Sequence, residues 1–311
     1  MVLREFARIR SIYHYGIKLS LAIVMQAYDS DSSTVKDLKN EAEQTVRRAR
    51  PWIKLLARMG YAAKGAVYLL IGVTAILVAV GRRNGAEDFT GVLIQVFRQP
   101  FGEALLTVLA VGLIGYAVWC LIQAVMDTEN KGSGVFGIIT RLFYAGVGIV
   151  YASIAWSAFE LLTGTGTVKQ GDQPEQRWTA RFLVLPYGRW IVAIVGLGFV
   201  GFCVRELGRA FGDKFHILKT QRTNPTEDEL ATRIGQTGIT ARAIVFSIIG
   251  FFLMRAAINF DPKKVRGMAG ALNTLAHQPH GAWLLAILAL GLIFYGAYML
   301  FLSWRRRIDP I

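Results

Sequence analysis

One phrase occurs three times along this chain, and it constrains the fold more than any other feature. "PFGEALLTVLAVGLIGY" from Pro100, "PYGRWIVAIVGLGFVGF" from Pro186 and "PHGAWLLAILALGLIFY" from Pro279 align without a gap. Pro-x-Gly opens each, a glycine follows at Gly112, Gly198 and Gly291, and an aromatic at Tyr116, Phe202 and Tyr295. A second phrase precedes each copy: "GYAAKGAVYLLIG" from Gly60, "FYAGVGIVYASIA" from Phe143 and "GITARAIVFSIIG" from Gly238. Small residues recur in register within it, at Gly65, Gly148 and Ala243 and again at Gly72, Ala155 and Gly250. An aromatic lies between them at Tyr68, Tyr151 and Phe246. A two-part unit repeated in this way must bury its faces against its own copies.

Both phrases are membrane-spanning in character. A bilayer core of about 30 Å needs roughly 20 mostly apolar residues per helix, and six stretches approach this: 62–81, 103–126, 143–163, 189–211, 238–260 and 281–304. The chain is 53% hydrophobic and only 18% charged, where soluble domains carry about 25% charged residues. Each unit supplies two helices, so all three enter and leave on one side. The expected fold is an all-α integral membrane protein of six transmembrane helices, arranged as three parallel two-helix repeats with pseudo-threefold symmetry. The expected units are a cytoplasmic or interfacial arm at 1–54 and repeats at 55–127, 137–214 and 233–307. Proline suits the first turn of a helix, so each Pro-x-Gly reads as the start of a second helix. The recurring Gly65, Gly72, Gly148, Gly250, Gly112, Gly198 and Gly291 read as close-packing positions, because packing rather than water exclusion joins helices in lipid.

The net charge of +14 follows the same layout. With the N-terminus in the cytoplasm, 24 of the 35 Lys and Arg fall inside and 11 outside, which places both termini in the cytoplasm by the positive-inside rule. The basic excess is therefore an orientation signal and implies no nucleic-acid partner. Lys64 and Arg242 occupy the same repeat position, one turn into their helices, where a long side chain can snorkel to headgroups; repeat 2 has Val147 there. They are expected to anchor helix depth, with a functional cation site as the alternative. Leu77, Glu160 and Arg255 share another position near the outer helix end, where an ion pair between Glu160 and Arg255 would fix repeat 2 against repeat 3, or each would face headgroups. Arg205, Glu206 and Arg209 stand where repeats 1 and 3 carry Trp119, Cys120, Gln123 and Tyr298, Met299, Leu302. They form a candidate structural interface cluster, with partner or lipid-headgroup contact as the alternative.

The arm differs from the bundle. "KLSLAIVMQAY" at 18–28 is apolar but too short to span. A polar helix begins near Ser33 and is expected to end at Pro51. No cleavable leader is evident in the first 20 residues, and either Met1 or Met25 is the start. Cys120 and Cys203 lie in apolar runs without metal spacing, and His277 with His280 makes only a weak metal pair. No cofactor is expected.

The pairing of "RMGYAAKGAVYLLIG" (58–72) with "PFG…GLIGY" (100–116) resembles the bacterial membrane family named Domain of Unknown Function 1206, built from repeats of a two-helix transmembrane unit. The resemblance covers 55–307. It is loosest at the first helix of repeat 2, where Phe143 replaces the opening glycine and Val147 the basic residue. It implies a six-helix protein of the bacterial inner or a photosynthetic membrane and no particular activity. With no paired carboxylates, nucleophile with base, phosphate loop or metal set in sequence, an enzyme is not expected. The expected role is a non-enzymatic structural, assembly or accessory component of a larger membrane complex in the lipid bilayer. The alternative is a passive channel or permease for a small solute.

Overall fold

The computed structural model describes residues 33–126, 135–165, 173–212 and 225–305. The short apolar stretch at 18–28 and both candidate starts lie outside these residues. The side chains of 33–54 and of Arg209 are outside the described part as well. Within it the protein is all-helical, with no strand among the described residues.

Each repeat contains two long helices and a short one. Repeat 1 holds α1 (Ser33–Ala79), α2 (Phe89–Phe97) and α3 (Gly102–Met126). Repeat 2 holds α4 (Val135–Thr163), α5 (Gln173–Leu183) and α6 (Gly188–Phe211), and repeat 3 holds α7 (Pro225–Asn259), α8 (Met268–Ala276) and α9 (Gly281–Arg305). Six segments are long and apolar enough to cross a bilayer: Ala57–Ala79, Gly102–Val125, Thr140–Thr163, Gly188–Gly208, Glu229–Asn259 and Gly281–Trp304. This is a multi-pass membrane protein with the outward faces of its helices against lipid.

Two local expectations are corrected. Pro51 does not end the polar helix, because α1 runs unbroken from Ser33 to Ala79. An interior proline removes one intrahelical hydrogen bond, but helix on both sides continues across it. The prolines of Pro-x-Gly also precede the second helices rather than starting them. Gly102, Gly188 and Gly281 each donate their N–H to the carbonyl three residues back, of Gln99, Leu185 and Gln278, at 2.8 Å. The middle residues Phe101, Tyr187 and His280 have φ of 63°, 64° and 61°. Proline second and positive φ third is the pattern of a type II β-turn. The glycine is fixed by space: a Cβ on Gly102 would collide with the carbonyl oxygen of Phe97, and one on Gly188 with that of Phe182.

The spanning helices neighbour one another in the order α4, α3, α1, α9, α7, α6. The tightest pairs join successive repeats, α3 with α4, α6 with α7, and α9 with α1. At the termini end two of these seams carry matching clasps. The Ser303 hydroxyl donates to the carbonyl of Arg58 at 2.8 Å, and the Gln236 amide to that of Ala210 at 2.8 Å. Within repeats 1 and 3 the two long helices also pack, but α4 and α6 of repeat 2 share no such packing among the described residues. The cause is a single position. A Cβ on Gly60 would sit 2.7 Å from the backbone of Tyr116, and one on Gly238 would collide with the backbone of Tyr295. Repeat 2 places Phe143 there, whose ring instead stacks on Phe202 at 4.2 Å and 16°. A phenyl ring replaces a backbone contact, so α4 and α6 are held apart and the ring is open along this seam.

The packing glycines divide accordingly. Gly65 and Gly72 face α9, Gly148 faces Leu121 and Ala117 of α3, and Gly250 faces Gly196 of α6. Gly112 and Gly291 face Ala63 and Ala241 within their own repeats, whereas Gly198, at the same repeat position, meets nothing within 4 Å.

Candidate functional site

Residues four apart share a helix face, and each first helix carries a repeat pair at this spacing: Lys64 with Tyr68, Val147 with Tyr151, Arg242 with Phe246. These faces point into the ring. There they meet the aromatics of the second helices in three related contacts, each joining one repeat to the next. Tyr116 packs on Tyr151 with ring centroids 4.6 Å apart, Tyr295 on Tyr68 at 4.8 Å, and Phe202 on Phe246 at 6.1 Å. Edge-to-face geometry at 72° and 76° in the first two is the arrangement that aromatic quadrupoles favour.

Lys64 and Arg242 lie within this cluster, and the depth-anchor expectation is overturned: neither snorkels outward. Lys64 is 4% exposed and Arg242 7%, because their helix face turns toward the centre rather than toward headgroups. The Lys64 ammonium donates to the Tyr116 hydroxyl at 2.8 Å and lies 4.6, 5.4 and 5.6 Å from the ring centres of Tyr116, Tyr151 and Tyr295. Arg242 donates through Nη1 to the Tyr295 hydroxyl at 2.8 Å and through Nη2 to Glu206 Oε2 at 2.7 Å. Its guanidinium lies 4.6 Å from the Tyr295 ring centre, 5.2 Å from that of Phe202 and 5.5 Å from that of Phe246. Lys64 thus touches side chains of all three repeats. Arg242 ties repeats 2 and 3.

Glu206 belongs to this site, with its other oxygen 3.9 Å from Arg205. The Glu160–Arg255 pair is not formed. Glu160 Oε1 instead accepts from the Trp156 indole at 2.9 Å on its own helix, and Arg255 is exposed on α7. The helix order explains this, since α4 and α7 are not neighbours. Glu160→Gln and Arg255→Gln should each change stability by less than about 0.5 kcal/mol. A double-mutant cycle between them, read by thermal unfolding in detergent, should show no coupling.

The turn end carries no comparable cluster among the described residues. Open hollows of about 400 and 480 Å³ both include Asn273, and the first also His277. The Nδ1 of His277 lies 2.7 Å from the Asn273 carbonyl oxygen. Among the described residues no three His, Cys, Asp or Glu side chains converge to hold a metal.

Sequence reasoning missed that the recurring aromatics and the two cations form one cluster. A signal was present: repeat 2 loses the cation and the tyrosine hydroxyl together, at Val147 and Phe202, as partners in one contact would.

The family described as Domain of Unknown Function (DUF1206) matches residues 59–127, 142–213 and 237–306. The chain is 40% identical over 253 residues to "Uncharacterized protein YxxB" of Bacillus subtilis (strain 168), across 81% of this chain and 90% of that protein. No solved structure matches.

Proposed function

Because the chain belongs to the Domain of Unknown Function (DUF1206) family, which is defined without an assigned activity, we propose a role from the arrangement of its own residues. The protein is a non-enzymatic structural or accessory component of a larger membrane complex, set in a bacterial inner membrane with both termini in the cytoplasm. The excess of basic residues at the termini end supports that orientation. The observation that carries the role is the filled centre. Where a channel would run, six rings, two cations and a carboxylate are packed against one another, with Tyr68 and Tyr295 each no more than 2% exposed. Such a centre stiffens a module and leaves little room for a solute, so the channel or permease reading fits less well. The second repeat adds support. Its helices α4 and α6 are the least buried of the six spans, and this is the side on which a neighbour would sit.

The test is gentle extraction of the tagged protein from native membrane and mass spectrometry of what accompanies it. A stoichiometric membrane partner is the expected result, and its contacts should map to α4 and α6 by crosslinking. A lone monomer or homo-oligomer that passes solutes when reconstituted into vesicles would overturn the reading.

A further inference from the structure

The two buried cations are treated unequally by the fold. Arg242 on the first helix of repeat 3 meets Glu206 on the second helix of repeat 2 at 2.7 Å. One repeat further on, the same contact would join Lys64 to position 299, and the residue there is Met299. Among the described residues no carboxylate forms an ion pair with Lys64, although its side chain is nearly fully buried. Of its three N–H donors one is used, by the Tyr116 hydroxyl. The Nε of Arg242, equally buried, has no hydrogen-bond partner. The cluster thus holds two cations and a buried unpaired N–H against one carboxylate, among the hydroxyls of Tyr68, Tyr116, Tyr151 and Tyr295, which can donate or accept. Positive charge exceeds negative, and a charge buried inside a membrane bundle without a counter-charge is costly. Ring faces offset part of that cost through cation–π attraction, but they accept no hydrogen bonds of comparable strength.

We propose that Lys64 is the seat of a small monovalent anion, of halide or carboxylate size, held by its ammonium with the Tyr116 hydroxyl. The anion does at Lys64 what Glu206 does at Arg242. It completes the cluster by a ligand where repeat 3 uses a side chain. The closeness of the rings, with centres 4.6, 5.4 and 5.6 Å from the ammonium, limits the ligand to the smallest anions and excludes a sugar acid. Lysine suits such a role because its compact ammonium turns freely toward a point charge.

The experiment is thermal unfolding of the purified full-length protein in detergent. Sodium chloride, bromide, formate or acetate is titrated at constant ionic strength against sodium gluconate. Wild type should show a rise of about 5 °C that grows with the logarithm of anion concentration above the dissociation constant, since a ligand that binds only the folded state stabilises it by RT ln(1 + c/Kd) at free concentration c. The halide and carboxylate arms identify the source by which begins to raise the unfolding temperature at the lower concentration. Lys64→Met should lose the response while remaining at least as stable as wild type in gluconate, because its buried charge is gone. Tyr116→Phe, which keeps the ring and the ammonium, should weaken the apparent affinity about tenfold. It also tests the site should Lys64→Met fail to fold. Equal unfolding temperatures for wild type in gluconate and in every small anion would overturn the proposal. So would an undiminished response in Lys64→Met or Tyr116→Phe.

Discussion

Glu206→Leu should cost about 3–5 kcal/mol of stability, the largest loss expected from any single side chain in the bundle, because it leaves Arg242 charged and buried without its partner. Arg242→Met, which strands a carboxylate of 14% side-chain exposure, should cost somewhat less, since Glu206 retains Arg205 at 3.9 Å. The double variant Arg242→Met with Glu206→Leu should recover most of the loss, since a buried ion pair replaced by apolar side chains of similar volume is often neutral. Repeat 2 already uses that solution, with Val147 in the cation's place. Thermal unfolding in detergent would measure all three, and a cycle coupling of at least about 2 kcal/mol is the expected outcome. Additive losses would show that the two residues do not act as a pair.

The second large effect concerns glycines at one repeat position with opposite surroundings. A Cβ on Gly112 would sit 2.6 Å from the Ala63 methyl and 2.9 Å from the carbonyl oxygen of Met59, and one on Gly291 would overlap the Ala241 methyl. Neither neighbour can rotate away, so the helices must separate. Gly112→Ala and Gly291→Ala should each cost about 1–3 kcal/mol through overpacking. Gly198→Ala, with nothing within 4 Å, should stay within about 0.5 kcal/mol. Comparable losses at all three would mean that α6 is covered in the membrane and that the seam beside it is closed.

The six spans and their repeat relationship were legible because each is written in long apolar runs and in-register small residues, which lipid and close packing demand directly. The direction in which Lys64 and Arg242 point was not. Their distance from the helix end allowed snorkelling, and only the meeting of three repeats at the ring's centre decides between an outward and an inward face. The missing Glu160–Arg255 contact has the same origin: equivalent repeat positions are related by rotation and need not be near one another. The short helices α2, α5 and α8 were hidden because their sequences differ in character, α2 and α8 being apolar while α5 is polar. The seam was half visible. Phe143 in place of the opening glycine is plain in sequence, but its consequence appears only once Gly60 and Gly238 are seen against the backbones of Tyr116 and Tyr295.

The contact between α1 and α9 has a consequence for how the molecule is made. Of the six spans among the described residues these are the first and last to leave the ribosome, and Gly65 fits against Gly296 only when both are present. Until then α1 waits in the bilayer with Lys64 lacking the ring of Tyr295 and with its glycine face against lipid tails. Repeats 1 and 2 can associate early through α3 and α4, but repeat 1 meets repeat 3 across α1 and α9 only with the last of these insertions. A nascent chain truncated before Gly281 should therefore be recognised by membrane proteases as unfinished, however well its earlier helices have inserted.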